Sequence, residues 1–380
     1  MTDQSAPPSY LPFSGERVRL RDITLADADM VDAWNVDIAL GSFNDFGHRE
    51  PLPREALGKG PLRNERNGML IIERIADGQP IGTVGWRRVT VYGPSPTSDA
   101  WQIGIELIPA ARGQGLGAEA QRLLADFLFA ASDVNRVEAS TDVANAAEQG
   151  ALEKAGYRYE GVMRRAQFRA GAYHDLAYYS RLREDVGEPP PATPAPLTST
   201  ARGVLPVVGR VVRLRDVTLA DVDMLEAWLD QREPDSFNNL GQPRKSMPRD
   251  VLAAGPLRDD RRGTLVIERL DTGAPVGSLS WHVVGYGPNS DSQCFNIGIE
   301  ILAAARGLGF GSEAQRLLAD WLFAASEVNR VEASTDIENL PEQRALEKAG
   351  YTRDGVIRGS QFRAGGHHDL VVYSRLRSDP

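Results

Sequence analysis

The chain has 380 residues, 42% hydrophobic and 25% charged, with a formal net charge of −9 and a single cysteine. That length suggests two domains or more, and the balance is ordinary for a globular protein. It excludes an intrachain disulfide and a cysteine-cluster metal site, and it disfavours nonspecific binding to nucleic-acid backbones, which takes basic surface.

No apolar run is long enough to span a membrane. The polar start, Met1 to Pro12, lacks the basic and apolar regions of a secretory signal, so a cytoplasmic protein is expected. Residues 1–15 are expected to be a disordered leader. Arg17-Val18-Arg19-Leu20-Arg21-Asp22 alternates as a first strand. Thr24-Leu25-Ala26-Asp27 has capping-box spacing, with Asp in the Glu/Gln place, and predicts a helix over 25–35. Residues 37–67, broken by Gly41, Gly47, Pro51 and Pro53, form a long loop with a short helix at 54–58. Loops of that length in compact domains are often binding loops. Met69 to Glu73 and Ile81 to Val89 are strands around the turn Asp77-Gly78. Gly93-Pro94-Ser95-Pro96 leads into a central strand, where Trp101, Ile103, Ile105 and Leu107 alternate with Gln102, Gly104 and Glu106.

Arg112-Gly113-Gln114-Gly115-Leu116-Gly117 comes next, then a helix with Ala120, Leu123, Leu124, Phe127, Leu128 and Ala131 on one stripe. Glycine lets backbone close on a ligand, and a helix start offers free N–H groups and a positive dipole end to an anion. A lone turn of this kind is equally a plain tight turn. Val137 to Thr141 is the next strand and Glu148 to Lys154 the next helix. Tyr157 to Arg169 holds two short strands or one bent strand, and Asp175 to Leu182 is the last strand.

Proline-rich residues 185–205 form an extended, semi-rigid linker, reaching roughly 60 Å at ~3.1 Å per residue. The chain then repeats at an offset of 194 to 195. Val212-Arg213-Leu214-Arg215-Asp216 repeats Val18 to Asp22, and Arg306-Gly307-Leu308-Gly309-Phe310-Gly311 repeats the glycine stretch. A period this long means duplicated domains, here 16–184 and 206–380.

The order of strand, Arg-x-x-Gly-x-Gly, helix, strand, asparagine and helix resembles the GNAT superfamily of acyl-CoA-dependent N-acetyltransferases. Glu153-Lys154-Ala155-Gly156-Tyr157 and the ending from Tyr173-His174-Asp175 to Leu182 resemble its ribosomal-protein N-terminal acetyltransferase branch. The resemblance implies two tandem α/β domains (α+β mixed sheets) that bind acetyl-CoA and need no metal. It implies a primary amine, on a small molecule or a protein N-terminus, as acceptor. It also implies a bulge that splays the central strand from its neighbour to admit the pantetheine arm. The loops Arg112, Gly113, Gln114, Gly115, Leu116, Gly117 and Arg306, Gly307, Leu308, Gly309, Phe310, Gly311 would hold the pyrophosphate. Backbone at Leu107, Ile108, Ile301 and Leu302 would face the acetyl group, with one N–H as oxyanion donor.

Glu106 and Glu300 are candidate general bases, or else structural carboxylates on one strand face. Asn145 and Asn339 match the family's coenzyme-contacting asparagine, or else cap the following helix. Seven residues on, many members carry a tyrosine that protonates the thiolate. Leu152 and Leu346 stand there, leaving that proton to water. Tyr157, Tyr351, Trp34, Trp86, Trp228 and Trp281 read as core, and Cys294 as a small apolar filler. His174, His367 and His368 adjoin Asp175 and Asp369, but neighbours in a strand face opposite ways, so these read as surface histidines and structural aspartates. Acceptor specificity would lie in 37–67, 231–262 and 91–100. Duplication of a dimer-forming domain would give an intramolecular pseudo-dimer, monomeric in solution, with no membrane or nucleic-acid partner. The alternative reading is an acyl-CoA-binding regulatory or scaffold protein with silent domains.

Overall fold

In the computed structural model, which describes residues 11–39, 43, 46, 50–90, 92–93, 96–185, 205–230, 236–238 and 249–379, two copies of one pattern follow each other. The first runs β1 (Phe13–Ser14), β2 (Val18–Asp22), α1 (Ala28–Ala39), α2 (Arg54–Leu57), β3 (Asn67–Arg74), β4 (Gln79–Val89), β5 (Ala100–Leu107), α3 (Leu116–Ala131), β6 (Arg136–Asp142), α4 (Ala146–Lys154), β7 (Arg158–Arg169) and β8 (Ala172–Leu182). The second runs β9 (Val207–Val208), β10 (Val212–Asp216), α5 (Val222–Asp230), α6 (Arg249–Ala254), β11 (Arg262–Arg269), β12 (Pro275–Gly285), β13 (Gln293–Ile301), α7 (Phe310–Ala325), β14 (Arg330–Asp336), α8 (Leu340–Lys348), β15 (Thr352–Arg363) and β16 (Gly366–Leu376).

The capping box forms with Asp in the last place. The Thr24 amide and hydroxyl both donate to Asp27 Oδ2, at 2.8 and 2.7 Å. The Arg21 guanidinium on the same carboxyl pulls it down to about 2. Part of the expected leader is structured. Phe13 pairs with Leu20, and Leu11 and Phe13 pack against the core, because the apolar pair Leu11 and Phe13 covers the open edge of the sheet. Residues 1–10 and 186–204 lie outside the described residues. Asp185, assigned to the linker, belongs to the first copy, where it bonds Arg158 and Arg358. Tyr157 to Arg169 resolves into one bent strand, with register shifts between Tyr159 and Gly161 and between Met163 and Gln167.

The stripe on α3 packs as its spacing predicts. Leu123, Leu124, Phe127 and Leu128 are buried against β2 to β6 with Trp86, whose ring meets Phe127 edge-on at 5.8 Å. Each such burial contributes about 2 kcal/mol. Trp281 and Trp321 repeat the contact at 5.3 Å. On the opposite face, Ile71 packs with Ile23, Val31 and Leu57 beneath α1 and α2.

All the strands join one sheet, in the order β1-β2-β3-β4-β5-β6-β8-β7-β15-β16-β14-β13-β12-β11-β10-β9. The copies meet where Gly161 of β7 pairs with Gly355 of β15. A Cβ on Gly161 would lie 2.5 Å from the Asp354 carbonyl oxygen, and one on Gly355 2.3 Å from that of Glu160, so only glycine admits this crossing. Around it the contacts are reciprocal. Arg164 of the first copy reaches Asp354 and Asp379, each at 3.1 Å, and donates to the Ser374 carbonyl at 2.7 Å. Arg358 of the second reaches Glu160 at 3.2 Å and Asp185 at 2.9 Å, and donates to Ser180 Oγ at 2.9 Å. The same patch contributed by both partners is the signature of a twofold interface.

Candidate active site

The glycine loop joins the end of β5 to the start of α3. Gly113 and Gly115 have φ of +73° and +74°, and Gly307 and Gly309 +76° and +83°, the left-handed region that glycine enters without cost. Gly117 has a different task. A Cβ there would sit 3.1 Å from Leu107 Cδ1, so this glycine seats the helix on the strand. Arg112 Nε donates to the Leu107 carbonyl at 3.0 Å, and Arg306 Nε to that of Ile301 at 3.1 Å. Gln114 Nε2 closes the turn on the Ala110 carbonyl at 2.7 Å. Leu116 and Phe310 enter the two cores, whereas Leu308 is 56% exposed.

β5 and β6 run parallel and pair only from Ala100–Arg136 to Gln102–Glu138, and β13 and β14 only from Phe295–Val331 to Ile297–Ala333. Beyond those rungs the strands part. The expected bulge is absent from the β4–β5 ladder, which runs without a register shift from Val89–Ala100 to Gly82–Leu107. A Cβ on Gly82 would lie 2.0 Å from the Glu106 carbonyl oxygen, and one on Gly277 2.2 Å from that of Glu300. β4 and β12 thus approach β5 and β13 closely at these points.

Ile108 N–H donates to the Ile81 carbonyl and Leu302 N–H to that of Val276, each at 3.0 Å. These two amides are spent on the ladder. Amides alternate in direction along a strand, so Leu107 and Ile301 turn theirs into the gap. In the second copy the gap is a cleft of about 610 Å³. Glu300, Ile301, Arg306, Gly307, Gly309, Phe310, Gly311 and Asn339 all line it. Leu302 packs on the core instead.

Glu106 pairs across the sheet with Thr83, and Thr83 with Ile71, which puts all three on the face under α1. Asn145 and Asn339 serve as helix caps, accepting from Glu148 N–H at 3.3 Å and Glu342 N–H at 3.4 Å. Each also donates to a threonine of the preceding strand, Thr141 or Thr335. Leu152 and Leu346 are wholly buried in the cores, as are Tyr157 and Tyr351, whose phenols burial pushes up. Cys294 is buried, and its thiol is pushed up in the same way.

Some side chains at the site were not picked out in the sequence. Ser236, Phe237 and Asn238 line the cleft, and Asn238 Nδ2 donates to the Ile299 carbonyl at 3.1 Å. The tripeptide recurs as Ser42-Phe43-Asn44, a repeat inside otherwise divergent loops that marks them. Most of 37–49 and 231–248 lies outside the described residues. Glu342 and Gln315 also line the cleft, and burial pushes the Glu342 carboxyl up to about 7, with Gln315 opposing the shift. Glu148 behaves alike beside Gln121. His174 does not pair with Asp175. Its Nδ1 lies 3.0 Å from Asp142 Oδ2, while Asp175 accepts from Arg165 N–H at 2.7 Å. His368 likewise faces Asp336, at 3.2 Å.

Comparison with known proteins agrees with the repeat. The acetyltransferase (GNAT) domain matches residues 17–158 and again 212–352. The uncharacterized N-acetyltransferase p20 of Bacillus licheniformis is 24% identical over 174 residues, 44% of this chain and 93% of its own. The uncharacterized N-acetyltransferase YoaA of Bacillus subtilis is 30% identical over 111 residues, 29% of this chain and 60% of its own. Among solved structures, Mycobacterium smegmatis RimJ in complex with CoA-disulfide is 23% identical with a TM-score of 0.35, covering 44% of this chain and 84% of its own. The domain matches extend over most of the chain and fall on both parted strand pairs with their glycine loops, so the chain belongs to the GNAT acetyltransferase family and carries its domain twice.

Proposed function

We propose that each copy transfers an acetyl group from acetyl-CoA to a primary amine of a small molecule or a protein N-terminus, by direct attack in a ternary complex. The observation that carries this reading is the parted strand pair β13–β14, whose gap opens beside the glycine loop that follows β13. Backbone N–H groups at a helix start suit a pyrophosphate, and Arg306, Arg344 and Lys348 add positive charge around the cleft. In this reading Arg112 to Gly117 and Arg306 to Gly311 hold the pyrophosphate, and Asn145 and Asn339 flank the pantetheine arm. Leu107 and Ile301 N–H stabilise the oxyanion, as preorganised donors do at developing charge. Glu106 and Glu300 take the ammonium proton through water. The two domains act within one monomer in the cytoplasm.

The test is release of free thiol from acetyl-CoA with a library of amines and peptides, with products identified by mass spectrometry. Turnover on one acceptor class is expected. Glu106→Gln and Glu300→Gln, made separately, are each expected to lower kcat at their own site about a hundredfold. Full activity of both variants across pH would remove the glutamates as bases. The buried Leu152 and Leu346 favour a second reading, a coenzyme sensor without turnover. Tight CoA binding with no acceptor in the library would select it.

A further inference from the structure

Leu346 sits in the core, so the position where many relatives keep a proton donor points away from the chemistry. One turn earlier on α8, Glu342 lines the cleft together with Asn339, and Gln315 of α7 lines it from the other side. Gln315 is 0% exposed and its amide meets the Glu342 carboxyl, as that of Gln121 meets Glu148 in the first copy. Around these residues the helix has changed: Ala146 and Ala147 became Leu340 and Pro341, and Gly150 became Arg344. Glu148 and Glu342 match, as do Gln121 and Gln315.

We infer that Glu148 and Glu342 are the proton donors to the departing coenzyme thiolate, steadied by Gln121 and Gln315. This rests on the acetyl-transfer reading above. The amine nitrogen bonds to the thioester carbon, and its proton leaves through water to Glu106 or Glu300. The carbon–sulfur bond then breaks with its electron pair on sulfur. The carboxyl proton of Glu148 or Glu342 moves to that sulfur, giving CoA as the free thiol. The carboxylate left behind regains a proton from solvent through the open cleft before the next turnover.

The environment suits the task. Glu300 from β13, Arg306 from the loop, and Arg344 and Lys348 from α8 itself share the cleft, with Tyr351 packed nearby. Desolvation is the largest cause of the Glu342 shift, and Gln315 the only partner opposing it. A carboxyl titrating near neutrality is protonated often enough to give its proton and acidic enough to part with it.

The test is Glu148→Gln, Glu342→Gln and the double variant in the full chain. Gln keeps the shape and removes the titration. For the double variant, kcat is expected to fall about a hundredfold, with CoA affinity by calorimetry unchanged. The descending alkaline limb of the wild-type kcat profile should vanish. Unchanged kcat, or the same limb in the double variant, would overturn the inference. A second readout needs no turnover. The infrared band of the protonated carboxyl, absent from the double variant, should shift when CoA binds, because the sulfur accepts from it. A band that CoA leaves unmoved overturns the donor role even if acetyl transfer is found. A wild type that shifts the band yet transfers nothing to any amine would sink the transfer reading and leave the contact standing.

Discussion

At the loop of the first copy, the Arg17 guanidinium donates to the Gln114 carbonyl at 2.9 Å and pairs with Glu119 at 3.1 Å. At the matching place in the second copy stands Val211, 43% exposed. The second copy instead adds Arg344 to the cleft, where the first has Gly150. Arg269, matched by Arg74 in the first copy, lies 5.3 Å over the Phe310 ring, where the first has Leu116. Loop dihedrals, strand register and the raised carboxyl agree between the copies. The parts that agree are held by packing, where a change costs stability. The parts that differ are surface charges, which drift at little cost.

The interface offers the largest effect with which to break this equivalence. Arg164 is almost fully buried among Asp354, Asp379 and Ser374, whereas the Arg358 side chain is 20% exposed. Arg164→Ala is expected to cost about 3–5 kcal/mol, because it leaves the buried Asp379 without its cation and Asp354 with Arg330 alone. Arg358→Ala should cost less, since Arg358 is itself partly exposed and its partners Glu160 and Asp185 keep Arg136 and Arg158. Urea denaturation of the full chain measures both. Equal losses would mean that the two clamps are equivalent despite their different burial.

Next in size is the pair of raised carboxyls. Folding lifts Glu148 and Glu342 from about 4.5 to about 7, so the folded state binds more protons between those values. Stability therefore falls as pH rises through that window, and the cost is complete above it. Glu148→Gln and Glu342→Gln should each stabilise the chain by about 3 kcal/mol above pH 7. The gain should fade as pH falls toward 4.5, the ordinary carboxyl value. Thermal melts across pH measure this, and a gain in one copy only would show that the cleft environments differ.

The smallest effect tests the charge at the loop. Arg17→Ala should weaken CoA at the first site by about 1 kcal/mol, roughly fivefold, as expected for a half-exposed charge. Val211→Arg should strengthen the second site by a similar factor. Titration calorimetry with CoA on the full chain resolves the two sites. If neither variant moves its own site, the cations around the loops do not distinguish the copies.

The sequence by itself determined the pieces whose physics is local. Period two placed β5, and the 3.6-residue stripe placed α3. Thr24 and Asp27, three residues apart, fixed a helix start, and glycines with left-handed φ fixed the loop. The duplication was legible because its period is one whole domain. The tertiary structure alone decided what depends on residues far apart in the chain. β5 parts from β6 beyond Gln102–Glu138 with no register shift between β4 and β5, while Gly82 packs closely on the Glu106 carbonyl. Asn238 reaches the cleft across a separation of 61 residues, and Arg164 finds Asp354 across 190. The raised carboxyls follow from how α4 and α8 sit on their neighbours. A carboxyl's proton affinity is set by how much water the fold removes around it, and no residue spacing encodes that.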